Sequence, residues 1–104
     1  MSVHDFSALY AQYPIIIGHM GETFTSHEFI LELARQNQTL YIEALYAYRQ
    51  HLRNGNPAPF LIVHGILARY LNAYPRLIVQ IRKDASGKDI FTQSNQCSEW
   101  RKLP

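Results

Sequence analysis

Residues 60–82 read FLIVHGILARYLNAYPRLIVQIR, and the fold depends on how this stretch is divided. At about 100° per residue, Phe60, Val63, Leu67, Tyr70, Leu71 and Tyr74 fall on one face, which predicts a helix over residues 60–74. The opposite face, Leu61, Ile62, Gly65, Arg69 and Asn72, is less polar than an outer surface usually is. Pro75 disfavours helical backbone at Tyr74 and ends the segment. Beyond it Leu77, Val79 and Ile81 alternate with Ile78, Gln80 and Arg82, the period of two expected of a strand over residues 77–82 whose first set is buried.

Upstream, residues 53–59 (RNGNPAP) form the clearest loop, since glycine terminates helices and two prolines block helical hydrogen bonding. Pro59 suits the first turn of the helix that follows. Before the loop, a helix from Leu40 would bury Leu40, Tyr41, Ala44, Leu45, Tyr48 and Leu52. That leaves Ile42, Tyr46, Arg49 and Arg53 outside as a mixed aromatic and basic stripe. Further back, Phe24-Thr25-Ser26-His27-Glu28-Phe29 is the strongest local signal. Thr25 and Glu28 have capping-box spacing, and Phe24 can staple onto Phe29 across the turn. A helix begins there, with Phe29, Ile30, Leu33 and Ala34 on its buried face. Asn37, Gln38 and Thr39 interrupt the pattern, with Thr39 as the cap of a second helix. One long helix over residues 26–53 is the alternative.

At the N-terminus, Ser2 can cap a short helix carrying Phe6, Leu9, Tyr10 and Tyr13, which Pro14 stops. Ile15, Ile16 and Ile17 read as an extended segment, and residues 18–22 as a turn. At the C-terminus, residues 84–89 (DASGKD) read as a turn. Residues 98–102, anchored by Trp100, are preferred to residues 90–92 as the strand that returns to pair with 77–82. Residues 84–96 then form a long wing.

A chain of 104 residues suits one domain with one core, since folding at this size hides roughly 60 to 70% of the unfolded surface. Its 47% hydrophobic and 17% charged residues are ordinary for a soluble globular protein, and no stretch approaches the roughly 18 apolar residues of a membrane span. The opening MSVHDF lacks the basic cap and apolar run of a secretory signal, so a cytoplasmic protein is expected. Cys97 is the single cysteine, which fits a reducing compartment. Charge is unevenly spread. Residues 1–37 carry one cation (Arg35) against four anions (Asp5, Glu22, Glu28, Glu32), a net −3, whereas residues 38–104 carry nine cations against four anions, a net +5. The basic part contains residues 60–82 and is compatible with a polyanionic partner.

Chemistry-bearing constellations are absent. His4, His19, His27, His51 and His64 are scattered without an HxxxH pair or a cysteine at zinc spacing, so no metal site is expected. His64 falls at the border of its helix's buried face. There is no Gly-rich phosphate loop, no GxSxG elbow and no supported Cys/His pair, so no catalytic activity, cofactor or small-molecule substrate is expected.

The order helix, helix, helix, strand, wing, strand over residues 25–102 resembles the winged helix-turn-helix domains of bacterial DNA-binding proteins. FTSHEFILELA is the first helix, TLYIEALYAYRQ the second, FLIVHGILARYLNA the third, and LIVQIRKDASGK the strand opening into the wing. The resemblance implies a mainly helical α+β fold, with residues 25–104 as the winged-helix-like domain and residues 1–24 as an extra N-terminal helix and extended arm packed on it. It further implies that the third helix enters the major groove of DNA, with Arg69 and Asn72 reading base edges or phosphate, while Arg82, Lys83 and Lys88 meet backbone phosphates. The chain departs from that pattern in its long proline-rich loop, in a third helix poor in Arg, Lys, Asn and Gln, and in residues 1–24. The apolar outer pair Leu61 and Ile62, with the N-terminal helix, offers a homodimer contact as the alternative to nucleic acid.

Overall fold

Helices begin early in the chain and outnumber those expected. In the structure, a computed structural model that describes residues 4–104, the Asp5 carboxylate accepts from the backbone N–H of Ser7 at 2.9 Å and from its hydroxyl. Helix α1 (Ser7–Tyr10) opens at this point, and α2 (Tyr13–His19) follows at once. Ser2, the expected cap, lies outside the described residues. The reading of Pro14 as a helix stop is corrected, because it sits in the first turn of α2, where its missing N–H is not needed. Ile15, Ile16 and Ile17 are therefore helical rather than extended. Three β-branched residues state a local preference, but one helical face buries Tyr13, Ile16 and Ile17 together, and that burial outweighs it.

Strand β1 (Thr23–Thr25) leads into α3 (Ser26–Gln36) through the expected capping box. The Glu28 N–H donates to Thr25 Oγ1 at 3.1 Å and the Thr25 N–H donates to Glu28 Oε1 at 2.7 Å. Phe24 and Phe29 meet at a ring separation of 6.2 Å, completing the staple. The chain then breaks at Asn37 (φ −137°), and α4 (Gln38–Ala47) is a separate helix. Thr39 lies inside α4 instead of capping it. Asn37 holds the corner by donating from Nδ2 to the Leu33 carbonyl at 3.1 Å. Tyr41, Ala44 and Tyr48 are buried, whereas Leu52 is exposed because α4 ends before it.

Residues 53–59 are more ordered than a loop. Leu52–Arg53 (β2) and Asn56–Pro57 (β3) pair across Asn54-Gly55, whose φ values of 52° and 82° are both left-handed, as a tight two-residue hairpin turn requires. Helix α5 (Pro59–Arg69) follows and tightens into a 3₁₀ turn, Tyr70–Ala73. Val63, Leu67 and Leu71 on this unit are completely buried, whereas Phe60, expected inside, is 37% exposed because the first turn of α5 overhangs the core.

Strands β4 (Ile78–Lys88) and β5 (Ser94–Lys102) make a long antiparallel hairpin, and β1 joins its other side to give the order β1-β5-β4. Phe24, Trp100 and Gln80 lie side by side across the sheet. Trp100 is 4% exposed and anchors the return strand as expected, while Ile90 to Thr92 fall in the turn. Most of the expected wing over residues 84–96 is paired ladder, which extends to Lys88 opposite Ser94. The reading of Leu77, Val79 and Ile81 as the buried set is also corrected. These residues are 39%, 36% and 43% exposed, whereas Ile78 is 2% exposed. A run that is apolar at both parities fixes the period but not which set turns inward. Register breaks at 80/82 and 82/85 then shift the rest of β4 against its partner.

The core is shared by all the helices. Tyr13 of α2 donates its hydroxyl to the Leu67 carbonyl at 2.5 Å, Tyr74 donates to the Tyr10 carbonyl at 3.0 Å, and the Tyr10 and Tyr70 rings stack at 3.5 Å. Helices α1 and α2 are thus members of the core, and Ile15 to Ile17 are not an extended arm. The result is a mixed α+β architecture in which no helix among the described residues is long and apolar enough to cross a membrane.

Candidate functional site

The β4–β5 hairpin arches back over the helices, and Asp89 shapes its turn. The Asp89 carboxylate accepts from the N–H groups of Phe91 (2.9 Å) and Gln93 (3.1 Å) and from Asn95 Nδ2 (2.7 Å). Partial burial pushes its pKa up, but these donors and His27 outweigh that and hold it below the usual carboxylate value. Asn95 Oδ1 also bonds the His27 ring of α3, and Thr92 adopts φ 61° within the turn. The turn directs Phe91 onto Phe60 of α5, edge to face at 5.0 Å, while Ile90 reaches the groove between α3 and α4. The Ser98 N–H donates to Ser26 Oγ at 3.2 Å, fixing the base of the arch.

Beneath the arch lies a cleft of about 710 Å³. Ile30, Phe60, Leu61, Gly65 and Ala68 line its helical side, and Lys83, Asp89, Phe91, Asn95 and Cys97 its hairpin side. His64 also faces it. The His64 Nε2 meets the Tyr41 hydroxyl at 2.5 Å, and the Phe60 ring stands against the imidazole at 5.8 Å. Burial, aided by His27 and opposed by Asp89, lowers His64 to about 4, while burial pushes Tyr41 up to about 12. At neutral pH the phenol donates and the neutral imidazole accepts, so the pair supports the cleft as a fixed hydrogen bond. The Cys97 thiol is pushed up by burial against opposing bonds from Thr25 and the His27 backbone, which leaves it a poor nucleophile. Among the described residues no three His, Cys, Asp or Glu side chains group to hold a metal ion.

The residues singled out in the sequence occupy three places. Arg69 and Asn72 are exposed at the far end of the third long helix, where Asn72 Nδ2 donates to the Arg69 carbonyl at 3.1 Å. That end is nine residues, about 13 Å, from Phe60. Arg82 lies 3.8 Å from Glu99 in an exposed ion pair. Lys83 and Lys88 are exposed on the hairpin, and Lys83 borders the cleft. Leu61 is 57% exposed at the cleft, whereas Ile62 is half-buried against the core. Sequence reasoning missed Asp89, Asn95 and Phe91. The turn composition of residues 84–89 marks an Asp able to bond its own backbone, but nothing local says that Phe91 lands on Phe60.

No family model, curated protein or solved structure matches this chain.

Proposed function

We propose that the protein is a non-catalytic, cytoplasmic nucleic-acid-binding module in which α3, α4, α5 and the β4–β5 hairpin act on duplex DNA as a winged-helix-like unit. The observation that carries this reading is the strand order β1-β5-β4, with α5 leading through a 3₁₀ turn into a long hairpin that bears the exposed Lys83 and Lys88. Among the described residues neither lysine forms an ion pair, so both can neutralise phosphate. Because Phe91 covers the start of α5, the hairpin and the Arg69–Asn72 end carry the contact, which makes it dominated by phosphate rather than base readout. Fluorescence anisotropy with a labelled duplex over a salt series tests this. Affinity should fall steeply with salt, and replacing both Lys83 and Lys88 by Ala should reduce the logarithmic salt slope by about 2. Absence of binding at about 50 mM salt would sink the reading.

A second reading, self-association without nucleic acid, is favoured by the outward display of Leu77, Val79 and Ile81 on the sheet. It relocates the contact from Leu61 and Ile62 to β4. Light scattering that finds a monomer at high concentration rejects it.

A further inference from the structure

Two histidines line the cleft, and the bonds each already makes fix which ring nitrogen carries the proton. The chain of donors starts at Asp89. Its ionised carboxylate can only accept, so the Asn95 Nδ2 that meets it at 2.7 Å donates. The other end of that amide, Asn95 Oδ1, must then accept, and its partner, His27 Nε2, donates. A neutral His27 therefore keeps its lone pair at Nδ1. His64 is the reverse case, because its Nε2 accepts from the Tyr41 hydroxyl at 2.5 Å and its proton sits on Nδ1. Neither Nδ1 has a hydrogen-bond partner among the described residues, and neither is sealed from solvent. The cleft thus holds one unused acceptor on α3 and one unused donor on α5, on rings close enough that charge on His27 acts on His64.

The rest of the lining narrows what could use them. Ser26 Oγ accepts from the Ser98 N–H, Ser98 Oγ accepts from Gln80, and Gln96 donates to Asp84. Lys83 and Asp89 carry opposite charges on the same hairpin side, so the lining as a whole favours neither an anion nor a cation. The remaining walls, with Ile30, Phe60, Leu61 and Phe91, are apolar, and a volume of about 710 Å³ falls within the range of small-molecule sites.

We infer that the cleft binds a small neutral aromatic lactam, its carbonyl accepting from His64 Nδ1–H, its N–H donating to His27 Nδ1 and its ring against Phe60 and Phe91. This site does not depend on nucleic-acid binding. A lactam sets an acceptor and a donor side by side on one rigid edge, so both bonds form for the ordering of a single rigid body. An ion would leave water without a counter-charge of its own, and a hydrocarbon would leave both histidines unpartnered.

An NMR titration of the full chain at about pH 8, where histidine is neutral by default, tests the site with three probes. These are 2-quinolone, 1-methyl-2-quinolone, which keeps the carbonyl but lacks the N–H, and the anion 2-naphthoate. The expected result is saturable shifts confined to α3, α5 and the hairpin, with 2-quinolone about fivefold tighter than its methyl derivative. 2-Naphthoate, with no N–H to give His27, should bind more weakly than 2-quinolone. His27→Leu should bring 2-quinolone down to the affinity of the methyl derivative and leave the latter unchanged, whereas His64→Phe should weaken both lactams about fivefold. Failure to saturate, equal binding of the two lactams, tighter binding of the naphthoate, or full 2-quinolone affinity in either variant overturns the inference. The comparison of probes is made on the unaltered chain, so it decides the question even if a histidine variant loosens the hairpin.

Discussion

Thr25 joins two parts of the molecule through one short side chain. Its hydroxyl caps α3 in the capping box, and its methyl sits where the hairpin passes closest, beside Gly87 and Cys97. Thr25→Ala should therefore cost about 1 to 2 kcal/mol, the range of a lost N-cap, read as a lower urea midpoint with unchanged slope. Thr25→Ser keeps the oxygen and should recover most of that loss. An unchanged midpoint in the alanine variant would show that the cap contributes nothing here. The indole nitrogen of Trp100 makes the opposite kind of contribution. It is buried and has no hydrogen-bond partner among the described residues, so this residue anchors the sheet by its area and not by its polar group.

At the scale of elements, α5 brings His64 between α4 and the hairpin, facing Tyr41, Phe60, His27 and Asp89. Its ordinary value of 6.5 in the unfolded chain falls to about 4 in the folded one, chiefly through burial. The unfolded chain therefore takes up a proton in the window between those values that the folded chain refuses. The stability gained by keeping His64 neutral is full above pH 6.5 and is lost as pH falls towards 4. Between pH 7 and pH 5 the loss should be about 2 kcal/mol. Urea unfolding at the two pH values measures it, and His64→Gln, which can still accept from Tyr41, should remove most of the slope. A variant with the same slope as wild type would assign the pH dependence elsewhere.

For the whole molecule, the N-terminal helices decide whether there is a core at all. Phe6, Leu9, Tyr13, Ile16 and Ile17 are each no more than 5% exposed. At about 2 kcal/mol for each such side chain, their burial is worth on the order of 10 kcal/mol, as much as the whole stability of many domains. Removal of residues 1–20 should therefore leave a chain without a cooperative thermal transition by circular dichroism. A cooperatively melting 21–104 fragment would restore the view of residues 1–24 as an accessory arm.

Much of this architecture was readable one segment at a time. The Thr25–Glu28 box and the Val63–Leu67–Leu71 face rest on contacts within a turn or a repeating period, so sequence alone determined them, whereas the Asn37 break and the Trp100 return strand were each one of two readings that sequence left open. Pro14 was ambiguous because the same missing N–H can end one helix or begin the next. The run over residues 77–81 was ambiguous because both parities are apolar. For the candidate site, sequence supplied the exposed cations but not the cleft, which requires Phe91 to meet Phe60 from thirty-one positions away. Local chemistry determined where α3, α5 and the two long strands lie, but not that Ile15 to Ile17 are helical. Only the tertiary structure decided which of their faces turn inward and that the hairpin arches over α5, because burial and long-range contact depend on partners distant in the chain.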